Sequence, residues 1–262
     1  MIVEKNVRVT ERFIDSHYKS KTPRSFNDVM NMNPVTQNTS SNGFSSCRCC
    51  GTCCKKGGPA FHGTDRPLIE KGIIQIRYLY TIRKGELVHD PIRGGLLPVN
   101  SEIIKIKSKA DMGDCTFYGG QSEQCRIYTD RPLECRLLKC WDTHAIEEMY
   151  ERDRLSRGDI LKDVDGLWEL VADHEKRCGY GRLGNLISKL KKGHRKHLAD
   201  DLGESINYDN QLRQLVIEKC QIKPEMLEFL FGRPLEKTIV MFGLRICRHG
   251  GKIVLTASGL PQ

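Results

Sequence analysis

Twelve cysteines carry most of the chemical information in this 262-residue chain. Five fall within eight positions, in the run Cys47-Arg-Cys49-Cys50-Gly-Thr-Cys53-Cys54. Cys47, Cys50 and Cys53 are each separated by two residues, and Cys54 follows directly. Cysteines at that spacing can turn both sulfurs toward one ion from a tight turn, and tetrahedral zinc and iron–sulfur clusters both use it. Such a turn needs an unusual φ, which Gly51 can supply. A second group follows at Cys115, Cys125, Cys135 and Cys140.

Eight thiolates suit two four-sulfur centres, or one centre with additional structural thiols. Vicinal Cys53 and Cys54 are expected to serve different centres, or different metals of one polynuclear centre. A simple ferredoxin run would place a further cysteine four residues after Cys53; position 57 is glycine. On one continuous helix Cys135 and Cys140 would stand roughly 140° apart around the axis. If both serve one centre, the helix opened by Pro132 must end near Leu137–Lys139; otherwise they serve different centres. Lys55, Lys56, Arg126, Arg131, Arg136 and Lys139 lie beside these cysteines in sequence and are placed to lower thiol pKa values and offset thiolate charge.

The pattern Cys-x2-Cys-x2-Cys-Cys, followed by Cys-x-Ile-Tyr-x2-Arg-Pro-x2-Cys-Arg-x3-Cys, resembles the cysteine-cluster proteins of the YkgJ type, a family described as a zinc- or iron-chelating domain. Its eight cysteines fall on Cys47, Cys50, Cys53, Cys54, Cys115, Cys125, Cys135 and Cys140, and its Tyr, Arg-Pro and Arg elements on Tyr128, Arg131, Pro132 and Arg136. The resemblance covers about residues 44–142. Cys49 is an addition to the family pattern, so Cys49 and Cys50 stand as alternative ligands. The resemblance implies metal binding through the eight cysteines, with an iron–sulfur cluster or other iron centre as the cofactor and zinc as the alternative. It also implies a redox or iron–sulfur-dependent enzyme, with a zinc-stabilised interaction module as the second reading and an enzyme like the lysine methylases as the third. No glycine-rich nucleotide motif supports a methyl-donor site.

The elements that must position these residues read as α+β: a cysteine-rich metal-binding module with flanking helices and a C-terminal β-hairpin. Residues 1–43 suggest an N-terminal helix and a polar linker, 44–142 the metal-binding domain, and 143–262 a helical region ending in a hairpin and packed on that domain. Asp65-Arg66-Pro67 and Asp130-Arg131-Pro132 each place a proline to open a helix, with Asp65 as the cap of the first. In the segment EIIKIKS, Ile104 and Ile106 alternate with Lys105 and Lys107, as in a half-buried strand. TIVMFGLRIC, Gly250-Gly251 and KIVLTAS read as the terminal hairpin.

The remaining signals are weaker. Cys178, Cys220 and Cys247 read as small buried hydrophobes. His62 and His144 lie near the cysteine groups and read as ordinary polar histidines before auxiliary ligands. His194 and His197 share a helix face without an acidic or cysteine neighbour. The basic run 189–197 reads as a solvated helix face, and Glu147-Glu148 as surface. Cys49 is the one candidate thiol nucleophile.

The composition, with 39% apolar and 29% charged residues and a net charge of +9, excludes wholesale disorder and a fibrous repeat. The basic run lacks interleaved aromatics, so nucleic acid is not the expected partner. An unidentified protein or electron-transfer partner is. No stretch has the apolar length of a membrane span. The opening MIVEKNVRVTERF lacks the apolar core of a secretory signal, so a cytoplasmic location is expected.

Overall fold

The computed structural model describes residues 47, 49–110, 113–119, 124–164, 166–191, 196–249 and 252–257. The helix and linker expected over 1–43 lie outside the described residues, as do residues 192–195 of the basic run, His194 among them.

The chain is an α+β arrangement of short antiparallel strand pairs and helices. Strand β1 (Leu79–Ile82) pairs antiparallel with β4 (Ile103–Ile106), and β2 (Leu87–His89) with β3 (Leu96–Pro98) between them. In the first pair Tyr80 stands opposite Lys105, Thr81 opposite Ile104, and Ile82 opposite Ile103. Successive strand residues point to opposite faces. Leu79, Thr81, Ile104 and Ile106 are buried on one face; Tyr80, Ile103 and Lys105 are only half-buried on the other.

The helices are α1 (Arg66–Glu70), α2 (Leu133–Leu137), α3 (His144–Met149), α4 (Arg157–Leu161), α5 (Leu167–Cys178), α6 (Tyr180–Lys191), α7 (Lys196–Cys220), α8 (Leu227–Phe231) and α9 (Leu235–Thr238). Pro67 lies in the first turn of α1 and Pro132 immediately precedes α2. Asp65 precedes α1, but its carboxylate does not cap that helix. It accepts from the backbone N–H of His62 (3.1 Å) and of Leu133 (2.8 Å), so it holds the start of α2 instead. Helix α2 ends at Leu137, which separates Cys135 from Cys140.

One core joins the cysteine-rich segment to the helices. Phe61, Ile104, Cys115 and Phe117 are buried in the same cluster as Val171, Val216 and Phe229. A second core gathers Cys178, Leu183, Ile206 and Ile239 around α6 and α7. Buried charges tie the elements together. Arg157, at the start of α4, donates to Glu102 (2.8 Å) and to the Leu230 carbonyl (2.7 Å). On α7, Asp209 accepts from His174 (2.7 Å) and from Arg213 (3.0 Å).

The C-terminal strands differ from the sequence reading in where they begin. Thr238 closes α9, and Ile239–Phe242 form a 3₁₀ turn with Ile239 buried, so TIVMF is helical. Gly243, at φ 76°, then redirects the chain into β5 (Leu244–His249), which pairs antiparallel with β6 (Lys252–Ala257). Gly250 and Gly251 lie outside the described residues. Of the three cysteines read as buried, Cys178 and Cys220 are, and Cys247 is exposed on β5. No helix among the described residues is long and apolar enough to cross a membrane.

Candidate metal centre

The first cysteine group lies on an irregular turn. Cys49 and Gly51 both have positive φ, 55° and 75°. Closing the turn, the Lys55 N–H donates to the Gly51 carbonyl (2.8 Å), and Cys54 begins a 3₁₀ turn over Cys54–Lys56. Gly51 is required for space as well as for φ: a Cβ there would lie 2.0 Å from the Tyr118 hydroxyl oxygen.

This turn meets the second group through the backbone. The Cys115 N–H donates to the Cys54 carbonyl (2.8 Å). Isolated bridges pair Ser108 with Cys115 and Tyr118 with Cys125, which brings Cys125 back beside the residues that follow Cys115. Cys135 arrives on α2. That helix is fixed by the Asp65–Leu133 bond and by Glu134, whose carboxylate accepts from the Ala60 N–H (2.6 Å) and from Arg154 (2.8 Å).

The result is that Cys53, Cys54, Cys115, Cys125 and Cys135 line one cavity of about 650 Å³. Cys47, Cys50 and Cys140 are exposed and lie outside that lining. Cys49 is exposed as well, and its N–H faces the Cys47 sulfur (3.4 Å). Among the described residues no three Cys, His, Asp or Glu side chains close tightly enough around one point to enclose an ion. The donors are gathered on a shared space.

The thiols depress one another's ionisation. Burial pushes Cys54 up to about 12, and the neighbouring Cys53, Cys125 and Cys115 push the same way. Cys135 is raised by burial and then by Cys115, Cys125, Cys54 and Cys53. Burial also raises Cys115 and Cys125. The lowering expected from the nearby cations is present but smaller: Arg131 and Arg126 act on Cys125, and Lys109 on Cys115. Crowded, desolvated thiols are the donor set that a cation relieves, since metal binding deprotonates them outright. By chemistry they fit zinc or iron–sulfur. The Cys49 thiol is raised by burial and by Cys47, which is opposite to what a nucleophile needs.

Neither nearby histidine joins the cysteines. His62 is fully buried, with one ring nitrogen on the Arg152 carbonyl (2.7 Å) and the other toward Glu134 (3.4 Å). His144 is exposed beside Glu148. Glu147 and Glu148 are exposed, as read from the sequence.

The cavity also holds groups that the cysteine pattern does not point to. Tyr80, Ile103 and Lys105 face it from β1 and β4, and Glu134, Tyr150 and Arg154 from the helical side. Burial would raise Glu134, but hydrogen bonds from His62 and Ala60, with Arg154 and Lys105 nearby, hold it at about 2. Burial lowers the Lys105 ammonium. The sequence signal for this part of the lining is the alternation in EIIKIKS, which puts Lys105 on the face opposite Ile104 and Ile106.

Residues 46–155 match the family model CxxCxxCC, described as a putative zinc- or iron-chelating domain. Comparison with curated proteins and with solved structures gave no match. The matched segment runs past Asp142 to Leu155, and the hydrogen bonds give a reason. The Gly63 N–H donates to the Asp153 carbonyl (2.8 Å) and the Leu155 N–H to the Phe61 carbonyl (3.1 Å), so 153–155 form an added edge on 61–63. Residues 46–155 of this chain are thus similar to the CxxCxxCC family, whose description as a zinc- or iron-chelating domain agrees with the cysteines gathered at the cavity.

Proposed function

We propose that the chain is an iron–sulfur protein with a redox role, its metal held by Cys47, Cys50, Cys53, Cys54, Cys115, Cys125, Cys135 and Cys140. The observation that carries this reading is the sharing of one cavity by Cys53, Cys54, Cys115, Cys125 and Cys135. One tetrahedral zinc takes four protein ligands, so five thiols at one space favour a polynuclear centre. Adjacent Cys53 and Cys54 suit that arrangement, because vicinal sulfurs can serve different metals of one cluster.

A bound cluster would supply one-electron chemistry. The chain's own residues provide its setting. Arg131, stacked on Tyr128 with its guanidinium carbon 3.7 Å from the ring centroid, and Arg126 bring positive charge toward Cys125. Arg136 donates to the Arg131 carbonyl (2.9 Å) and holds the approach to α2. The cytoplasm is the compartment, and an electron-transfer protein is the partner.

The test is metal and acid-labile sulfide content after oxygen-free purification, followed by electron paramagnetic resonance on reduction. Several irons with matching sulfide per chain support the proposal. Stoichiometric zinc without sulfide overturns it and leaves a zinc-stabilised module.

A further inference from the structure

Part of the cavity lining has an unbalanced charge. Lys105 faces the cavity from β4, and its ammonium makes no hydrogen bond or ion pair among the described residues. The acid facing it, Glu134, is already engaged by Arg154 (2.8 Å), the Ala60 N–H (2.6 Å) and His62. Arg233, also on the lining, is paired with Glu86 (2.5 Å). The Lys105, Arg154 and Glu134 group therefore carries two cations against one anion. A half-buried ammonium loses part of its hydration, and no hydrogen bond or ion pair among the described residues replaces it.

Beside this charge the cavity is apolar. Ile82, Val88, Ile103, Ile127, Ile146 and Met241 line it, and Tyr80 adds a hydroxyl that makes no hydrogen bond among the described residues. The space of about 650 Å³, shared between the cysteines and this apolar stretch, has the size of a small-molecule site.

We infer that this cavity binds a small monocarboxylate with an apolar body, its carboxylate on Lys105 and its chain along Ile82, Ile103 and Ile146. One anion balances the charge of the Lys105 group, and the apolar lining favours a hydrocarbon tail over a second charge. The inference goes beyond the metal reading and does not depend on which metal the cysteines hold.

The experiment is calorimetric titration of the metal-loaded full chain with acetate, butyrate and hexanoate, with hexanol and hexylamine as controls. Metal content is measured on the same samples. The expected result is saturable binding that tightens from acetate to hexanoate and is at least tenfold weaker for both controls. Lys105→Met should weaken hexanoate at least tenfold with metal content unchanged, and Lys105→Arg should restore part of the affinity. Circular dichroism checks that each variant is folded. Absence of saturable hexanoate binding to the wild-type chain overturns the inference, as does equal binding by Lys105→Met. Loss of metal from folded Lys105→Met also overturns it, because Lys105 would then serve the metal centre. Failure of the iron–sulfur proposal is read separately, from iron and sulfide.

Discussion

Gly51 is packed against the Tyr118 ring so closely that no side chain fits between them: a Cβ on Gly51 would lie 2.0 Å from the hydroxyl oxygen and 2.3 Å from the carbon that bears it. The contact fixes the first cysteine turn against the segment that carries Cys115 and Cys125. Gly51→Ala should therefore displace the turn and lower metal content. Gly72 is the control, with a similar φ of 69° and open space around it. Gly72→Ala should cost about 1–2 kcal/mol, the price of a left-handed backbone alone. Gly51→Ala should cost more, and urea unfolding of both variants measures the difference.

Single cysteine replacements should separate ligands from packing thiols. Cys54→Ser and Cys135→Ser, at the cavity, should reduce bound metal. Cys178→Ala should leave it unchanged, because that thiol is buried in the second core. Its loss should cost about 1 kcal/mol of packing. Elemental analysis of purified variants, with thermal unfolding beside it, decides the matter.

Arg157 is buried at a junction of three elements and bonds Glu102 and the Leu230 carbonyl. Arg157→Met removes the cation and leaves a carboxylate and a carbonyl without their partner. Breaking a buried pair from one side costs about 3–5 kcal/mol. Urea unfolding should show a loss of that order, and an effect below about 1 kcal/mol would mean the network relaxes to pair elsewhere.

Stability should fall toward acid in two stages. Burial holds the His174 pKa below its usual 6.5, outweighing its hydrogen bond to Asp209. Burial opposes ionisation of Asp209, but His174 and Arg213 overcome it and hold that pKa below 3.8. Both groups bind fewer protons folded than unfolded. Each contribution is therefore present above the ordinary pKa and is lost as pH falls through the folded one. The His174 share goes first, below about pH 6.5, and the Asp209 share below about pH 4. His174→Gln should remove the upper stage and shrink the lower, since Asp209 loses one of the two partners that hold its pKa down, as read by unfolding free energy against pH.

The candidate site is legible in the sequence where its geometry is local. The cysteine spacing, the turn glycine and Pro132 before α2 all act within a few residues, and short-range rules cover them. Long-range partners are not legible. Asp65 has the sequence position of a cap for α1, yet its carboxylate serves Leu133, 68 residues on. Residues 238–242 are β-branched and apolar, which favours a strand, but burial of Ile239 in the second core makes them helical. The alternation around Lys105 shows two faces of a strand and says nothing of what covers each.

The β1–β4 pair uses those two faces for separate purposes. Leu79, Thr81 and Ile104 hold the core together, while Tyr80, Ile103 and Lys105 face the cavity. Substitution at Tyr80, Ile103 or Lys105 keeps Leu79, Thr81 and Ile104 in the core. Related chains are thus free to diversify positions 80, 103 and 105, acquiring new ligand preferences on an unchanged scaffold.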